Sequence, residues 1–176
     1  MTNVQANHFQ LFALPEQFAI DVEALESSYR KIQSTSHPDR FVTASATEKL
    51  QSMQLATSAN EAYSVLKNPA QRAKYLLELQ GINAIAETNT AMPADFLMQQ
   101  MEWRERLEDA KAAKDIPELE KLAKELKSDA QSIQASLVDL FDLTKDLATA
   151  TDETRKLIFI DKVSADIHQA IEQLDY

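Results

Sequence analysis

Apolar residues recur at every third or fourth position through most of this sequence, a spacing that places them on one face of an α-helix. The first clear segment begins after Asp21, a residue type that caps helix N-termini. Its apolar positions are Val22, Leu25, Tyr29 and Ile32. A second helix is predicted from Ala46, because Ser45 and Glu48 have the spacing of a capping box. Its inward positions are Leu55, Ala59, Ala62, Tyr63 and Leu66.

A third segment, "AQRAKYLLELQ", ends at Gly81, where a glycine typically follows a helix C-terminus. Between the first two segments, "TSHPDRF" interrupts the helical pattern. Pro38 disfavours helical geometry at His37 and has no amide hydrogen of its own, so the first helix should end there. The first half therefore predicts short helices around a packed centre, with a rigid loop between the first two.

The second half of the chain predicts three longer helices after a linker. Residues 82–92 have no steady helical period and contain a Thr/Asn cluster, which is typical of a linker. We expect helices over Pro93 to about Lys114, Asp115 to about Asp146, and about Thr151 to the end. The stripe of the middle helix is Leu119, Leu122, Leu126, Ala130, Ile133, Leu137 and Leu140, and that of the last is Ile160, Val163, Ile167, Ile171 and Leu174. The predicted fold class is all-α, with an N-terminal helical unit over 1–80, a linker over 81–92 and an antiparallel three-helix bundle over 93–176.

The first helix of this bundle has apolar residues on two faces. One stripe, which we expect to be core, consists of Phe96, Trp103, Leu107 and Ala110. The other, roughly opposite, consists of Leu97, Met98 and Met101, together with Glu102 and Glu105. A small bundle buries only one face of each helix, so the second stripe predicts a contact with another surface, for which adaptable methionines are well suited. That surface is either another protein or the N-terminal unit of the same chain.

Phe159 raises the same question in the last helix. It flanks the apolar stripe in "RKLIFIDKV" rather than lying within it. Aromatic side chains are commonly buried, so one interpretation is a residue at the edge of the core. The other is a residue that belongs to an interface.

Composition agrees with a helical fold and restricts the function. One glycine leaves little for the tight turns of β-sheets. With 28 acidic and 18 basic residues the formal charge is −10, which disfavours binding to nucleic acid or to anionic membranes. The absence of cysteine removes disulfides and thiolate chemistry. No apolar run reaches the ~20 residues of a membrane span and no signal pattern opens the chain, so we expect a cytoplasmic protein.

The sequence has no recognisable pattern of catalytic or metal-binding residues. The histidines stand at positions 8, 37 and 168, without the paired spacing of a helical zinc site. A single glycine cannot form a glycine-rich phosphate loop or the sharp turn that presents a nucleophilic serine. We therefore expect no enzyme activity, no cofactor and no metal.

These exclusions favour a docking role for His37, Pro38 and Asp39. The proline holds the ring and the carboxylate in a fixed relation, which suits hydrogen bonding to another protein. Arg30 and Lys31 project away from the apolar face of the preceding helix, and this basic strip would attract an acidic partner. The alternative is that Arg30 and Lys31 are simply solvated and that Asp39 only caps a turn.

The order of these features resembles a J-domain. "YRKIQSTSHPDRF" is followed by a helix that ends "ANEAYSVLKNP" and then by "QRAKYLL". This is similar to the J-domain order of helix, HPD loop, long antiparallel helix and short last helix. The segments "FLMQQMEWRERLEDA" and "RKLIFIDKV" resemble the C-terminal domain of the HscB family, the J-protein co-chaperones of iron–sulfur cluster assembly. The resemblance covers nearly the whole chain, most specifically residues 25–79 and 95–110.

The resemblance implies two partners. In that family the J-domain docks on HscA, a DnaK-class chaperone, and stimulates its ATP hydrolysis, while the C-terminal domain delivers the scaffold IscU. The implied chaperone-binding residues are His37, Pro38, Asp39, Arg30, Lys31 and Arg40. The implied scaffold-binding residues are Leu97, Met98, Met101, Glu102, Arg104, Glu105 and Phe159. We expect a monomer or weak self-association; the alternative is a general J-protein or a helical adaptor that dimerises through its methionine stripe.

Overall fold

The computed structural model describes residues 5–86 and 92–176, and every regular element in these ranges is helical. This confirms the predicted all-α class. The α-helices are α1 (His8–Leu11), α2 (Val22–Thr35), α3 (Ala46–Lys67), α4 (Pro69–Leu79), α5 (Ala94–Ala113), α6 (Ile116–Val138) and α7 (Leu147–Leu174). A 3₁₀ turn, Pro38–Phe41, lies between α2 and α3, and a π-helical turn, Asp139–Leu143, follows α6.

The chain forms two compact units, Met1–Leu76 and Leu77–Tyr176. Of the predicted linker over 81–92, residues 87–91 lie outside the described ranges. Ala84, within the same predicted linker, is buried, and its carbonyl accepts a hydrogen bond from Nε of Arg155 at 2.6 Å. This part of the predicted linker is therefore attached to α7.

In the first unit, α2 and α3 form an antiparallel hairpin that is joined by aromatic side chains. The rings of Tyr29 and Tyr63 stack with their centroids 4.0 Å apart and 6° between their planes. The Tyr29 hydroxyl also donates a hydrogen bond to Oδ1 of Asn60 at 2.6 Å. Leu25 of α2 and Leu66 of α3 are fully buried. An aromatic pair of this kind contributes about 0.5–1.5 kcal/mol beyond its buried area, so it holds the two helices in register.

The short helix α1 was not predicted from the sequence. Asn7 and Gln10 form a capping box, in which the Asn7 side chain accepts from the Gln10 amide and the Gln10 side chain accepts from the Asn7 amide. The ring of His8 stacks on Tyr75 at 4.2 Å, and Phe9 is fully buried. Tertiary contacts thus stabilise a helix that is too short to form alone.

Two residues of the predicted stripes are more exposed than expected. Val22 is 45 % exposed and Leu55 is 39 % exposed. Both stand at the outer end of a stripe: Val22 is the first residue of α2, and Leu55 lines an open groove with Phe41. The predictions for these two residues were wrong because a helical period identifies a face, whereas burial depends on how far the neighbouring element extends along it.

The second unit is a three-helix bundle in which α5, α6 and α7 all contact one another. Its buried core contains Phe96, Trp103, Leu107, Ala110, Leu119, Leu122, Leu126, Ile160, Val163, Ile167 and Ala170. The predicted stripes are therefore confirmed at their centres. Ala130, Ile133, Ile171 and Leu174 pack against this core and are partly buried.

The junction between α6 and α7 differs from the predicted one. The α-helix ends at Val138, and the chain continues as a wider π turn in which the Thr144 amide donates to the carbonyl of Asp139 at 2.8 Å. Helix α7 begins at Leu147 rather than near Thr151, because Asp146 caps it by accepting from the amide and the hydroxyl of Thr149. The same hydrogen bonds hold the pKa of Asp146 below its usual value.

A half-buried ion network joins α5 to α6. The Arg106 guanidinium donates to Oε1 of Glu118 at 2.8 Å and to Oε2 of Glu125 at 2.6 Å. These hydrogen bonds, with Glu125 the larger contributor, raise the pKa of Arg106, and the bond from Arg106 lowers the pKa of Glu125. Charge-assisted hydrogen bonds of this type are stronger than neutral ones and fix the relative position of the two helices.

We predict that Arg106→Gln lowers the free energy of unfolding of the bundle by about 1–2 kcal/mol at pH 7. Because the pKa of Glu125 is depressed in the folded state, its contribution is present above its unfolded value of about 4.3 and disappears as the pH falls through the lower folded value. The deficit of the variant should therefore shrink below about pH 4. Urea unfolding followed by Trp103 fluorescence measures this, since Trp103 is the single tryptophan and lies in this core.

The matched control is Lys111→Gln, which breaks an exposed pair with Glu108 on the same helix. It should change the free energy of unfolding by less than about 0.5 kcal/mol. Equal losses in the two variants, or a deficit in Arg106→Gln that does not depend on pH, would contradict a specific role for the Arg106 network.

Candidate protein-interaction surfaces

The first candidate surface is the loop formed by His37, Pro38 and Asp39, here called the HPD loop. Helix α2 ends at Thr35, as predicted, and Ser36 caps its C-terminus. The amide and the hydroxyl of Ser36 donate to the carbonyl of Ile32 at 2.9 and 2.7 Å. Ser36 is buried, so the loop rises from a fixed base at the tip of the α2–α3 hairpin.

Within the HPD loop, the His37 backbone is extended and Pro38 begins the 3₁₀ turn. Nδ1 of His37 accepts a hydrogen bond from the Asp39 amide at 3.2 Å and lies 3.6 Å from Oδ2 of Asp39. A neutral imidazole whose Nδ1 accepts carries its proton on Nε2. The side chains of His37 and Asp39 are 59 % and 88 % exposed. The loop therefore presents an Nε2–H donor and a carboxylate acceptor to solvent in a fixed relation.

The basic residues predicted around the loop are also at the surface. Arg30, Lys31 and Arg40 are exposed. Nη2 of Arg30 lies 3.9 Å from a carboxylate oxygen of Glu26, one turn earlier in α2. An exposed pair at this distance contributes little energy and leaves the guanidinium available to solvent.

An apolar groove beside the HPD loop was not predicted from the sequence. It has a volume of about 540 Å³ and includes Pro38, Phe41, Val42 and Met53 in its lining. Val42 and Met53 are 69 % and 65 % exposed. These residues come from the 3₁₀ turn, the segment after it and α3, so no single helical period connects them. The groove exists only because the fold brings the 3₁₀ turn close to α3, and the sequence pattern does not indicate this proximity.

The second candidate surface is the outer apolar stripe of α5, formed by Leu97, Met98 and Met101 and here called the α5 patch. These side chains are 46 %, 72 % and 72 % exposed, whereas the inner residues of α5 are 9 % exposed or less. The prediction that α5 has two apolar faces, only one of which is buried in the bundle, is confirmed. Exposed charges border the patch at Glu102, Arg104 and Glu105.

Phe159 connects the core of the bundle to this surface. Its ring lies nearly parallel to that of Trp103, with centroids 6.4 Å apart, and edge-on to that of Phe96 at 6.0 Å. The Arg104 guanidinium stands 5.3 Å from the centre of the Phe159 ring. Phe159 is partly buried and, with Leu97, lines an apolar cleft of about 320 Å³. It therefore packs at the edge of the core and reaches the same side of the bundle as Leu97.

Neither surface has the donor set of a metal site. Across residues 5–86 and 92–176, no group of three or more His, Cys, Asp or Glu side chains is placed to hold a metal ion. Within the same described residues, the helices lack the combination of length and apolar character that crossing a membrane requires.

We predict that Phe159→Ala lowers the free energy of unfolding of the bundle by about 1–3 kcal/mol, because it removes a ring that packs on two core aromatics. Met98→Ala and Met101→Ala should each change it by less than about 0.5 kcal/mol, since both side chains are mostly in water. Urea unfolding of each variant provides the test. A Phe159→Ala protein as stable as the methionine variants would show that the aromatic packing contributes nothing.

Comparison with known proteins shows the family to which the chain belongs. A family model described as the HSCB C-terminal oligomerisation domain matches residues 92–168. The co-chaperone protein HscB homolog of Burkholderia thailandensis is 48% identical over 176 residues, all of both chains. The chaperone HscB from Vibrio cholerae has a TM-score of 0.81 at 38% identity, covering 96% of this chain and 99% of that one. The human co-chaperone protein HscB has a TM-score of 0.86 at 26% identity, covering 95% and 83%. The chain therefore belongs to the HscB family of co-chaperones.

Proposed function

We propose that this co-chaperone acts in the cytoplasm, where it stimulates ATP hydrolysis by a DnaK-class chaperone of the HscA type and delivers the iron–sulfur scaffold IscU to it. The observation that carries the proposal is that one chain bears both an anchored, exposed HPD loop and an exposed apolar α5 patch. The family to which the chain belongs supports a chaperone as one partner.

The HPD loop and the basic residues near it are the proposed chaperone contact. Arg30, Lys31 and Arg40 would steer an acidic surface of the chaperone toward the loop, an effect that weakens with salt. His37 and Asp39 would then supply one donor and one acceptor at fixed positions. Such a contact accelerates hydrolysis by favouring the hydrolysis-competent conformation of the chaperone, and it contributes no catalytic atom of its own.

The α5 patch is the proposed scaffold contact. Leu97, Met98 and Met101 would form its apolar centre, and burial of each side chain would contribute about 1–2 kcal/mol. Glu102, Arg104 and Glu105 would form a charged rim, and Phe159 would flank the centre. An apolar centre within a polar rim is the usual arrangement of a transient interface, in which a few central residues supply most of the binding energy.

Carrying both contacts on one chain has an energetic consequence. Once the scaffold is bound, engagement of the HPD loop holds it close to the chaperone, so the second encounter becomes intramolecular. The modest affinities of the HPD loop and the α5 patch for their partners then combine, so the scaffold is held at the chaperone more strongly than either contact alone would hold it. We propose that this tethering, rather than a reaction step, is what the protein supplies.

A homodimeric adaptor is the second candidate function. The matching family model is described as an oligomerisation domain, and the exposed α5 patch could bind a second copy of the chain. Sedimentation with and without purified IscU discriminates the two functions. The delivery function predicts a monomer that forms a one-to-one complex with IscU. A concentration-dependent homodimer that excludes IscU would favour the adaptor.

We predict that His37→Gln abolishes stimulation of the chaperone ATPase, because it removes the imidazole donor that the HPD loop holds in place. The affinity for IscU should stay within about twofold of wild type, because the lost ring is exposed and lies outside the α5 patch. The matched control is His168→Gln, the same change at an exposed position on α7. It should leave both quantities unchanged. Loss of IscU affinity in the His37 variant would contradict the division between the two surfaces.

We predict the reverse for the double substitution Leu97→Ala and Met101→Ala. Loss of two central apolar side chains should weaken IscU binding about 10- to 100-fold, and stimulation of the chaperone in the absence of IscU should be unchanged. Leu143→Ala is the control, since Leu143 is 71 % exposed in the same unit but lies outside the α5 patch. Calorimetric titration with IscU measures the affinity. A double variant that binds like wild type would exclude the α5 patch as the scaffold site.

A further inference from the structure

The first turns of α3 bury almost nothing except a serine. Of residues 46–55, Ser52 is the buried one, at 8 % exposure, and the other nine are exposed. A serine is an unusual choice for the inward position of a helix, because a buried hydroxyl has to find a hydrogen-bond partner to offset its desolvation. The Ser52 hydroxyl donates to the carbonyl of Ser36 at 2.8 Å.

That carbonyl belongs to the peptide unit that enters the HPD loop. The peptide group is planar, so fixing the carbonyl of Ser36 also fixes the amide of His37. The amide and the hydroxyl of Ser36 are already bonded to Ile32 within α2. The hydrogen bond from Ser52 adds a tie to the other helix of the hairpin. The backbone entering His37 is therefore held from both α2 and α3.

A second anchor lies on the other side of the loop. Phe41, the last residue of the 3₁₀ turn, is partly buried and lines two open grooves with Ser52, and the turn itself contacts α3. The exposed residues His37, Pro38 and Asp39 thus lie between two points of attachment to α3. Without the attachment at Ser52, the peptide unit before His37 could rotate while Phe41 stayed in place.

We propose that Ser52 is a positioning residue for chaperone stimulation, whose hydroxyl holds the HPD loop in the conformation that the chaperone binds. This inference rests on the proposed role of the HPD loop. Loss of the hydroxyl reduces the fraction of molecules with a competent loop, and the apparent affinity falls by that fraction. The groups that contact the chaperone remain intact, so the maximal stimulation at saturation remains.

The test compares Ser52→Ala with Ser64→Ala in the full-length protein. Both substitutions replace serine by alanine within α3, so they alter helix propensity equally, but Ser64 is exposed. For Ser52→Ala, the concentration of co-chaperone that gives half-maximal stimulation of the chaperone ATPase should rise about five- to tenfold. Maximal stimulation should stay at the wild-type level. Ser64→Ala should match wild type in both.

Two further measurements separate positioning from general destabilisation. Ser52→Thr keeps the hydroxyl at a position that lines two open grooves, so this variant should recover the wild-type half-maximal concentration. The second is hydrogen exchange of the Asp39 and Arg40 amides, which bond to Nδ1 and the carbonyl of His37. By NMR on the isolated protein, both amides should exchange faster in Ser52→Ala than in Ser64→Ala.

The outcomes distinguish this inference from the proposed function. If wild type stimulates the chaperone and Ser52→Ala coincides with Ser64→Ala in half-maximal concentration and amide exchange, positioning by Ser52 is overturned and the proposed function stands. If wild type does not stimulate the chaperone, the proposed function fails, and positioning for stimulation fails with it. A Ser52→Thr variant as impaired as Ser52→Ala would assign the effect to packing and would also overturn the inference.

Discussion

A helix in a three-helix bundle can bury only one of its faces, and the proposed cargo surface of this protein follows from that constraint. Helix α5 places Phe96, Trp103 and Leu107 in the core, against α6 and α7. Its remaining apolar side chains, Leu97, Met98 and Met101, are left partly or mostly in water. Exposed apolar area of this kind is unfavourable in water, so the proposed partner would gain binding energy by covering the apolar area that the packing of the bundle leaves exposed.

In the first unit, the exposed surface follows from a proline that ends a helix. Pro38 prevents α2 from continuing, so the chain must turn at the tip of the hairpin, and the turn exposes His37 and Asp39. A free loop would lose conformational entropy whenever it bound a partner. Here the base of the loop is bonded to α2 and α3 through Ser36, and much of that entropy has already been lost on folding. The stacked pair of Tyr29 and Tyr63 keeps the two helices at the separation that those bonds require.

Much of the fold could be predicted from the sequence because its signals are local. Asp21, Ser45 and Asp115 predicted three helix starts that the structure confirms, and the two apolar faces of α5 were visible from spacing alone. The predictions that were missing or wrong concern residues whose structure depends on contacts with other helices. Helix α1 packs against Tyr75, and the described residues leave Leu55, at the end of its stripe, exposed.

The same distinction applies to the candidate sites. The HPD triplet and the methionine stripe are contiguous or periodic, so they could be found without coordinates. The hydroxyl of Ser52 and the guanidinium of Arg106 act across helices on residues 16 and 12 to 19 positions away. No local pattern indicates which carbonyl or carboxylate they meet, because that depends on the register between helices. Residues that support a surface are therefore harder to predict than residues that form it.

In the proposed function, this protein changes the rate of a reaction whose chemistry belongs entirely to another protein. Steady-state ATP hydrolysis by the cognate chaperone, measured with this protein, IscU and the chaperone each omitted in turn, tests it most directly. We expect no phosphate release without the chaperone, a slow rate with the chaperone alone, a faster rate on adding this protein, and a further increase above the sum of the separate effects when IscU is also present. Phosphate release by this protein alone, or a chaperone rate that this protein leaves unchanged, would contradict the claim.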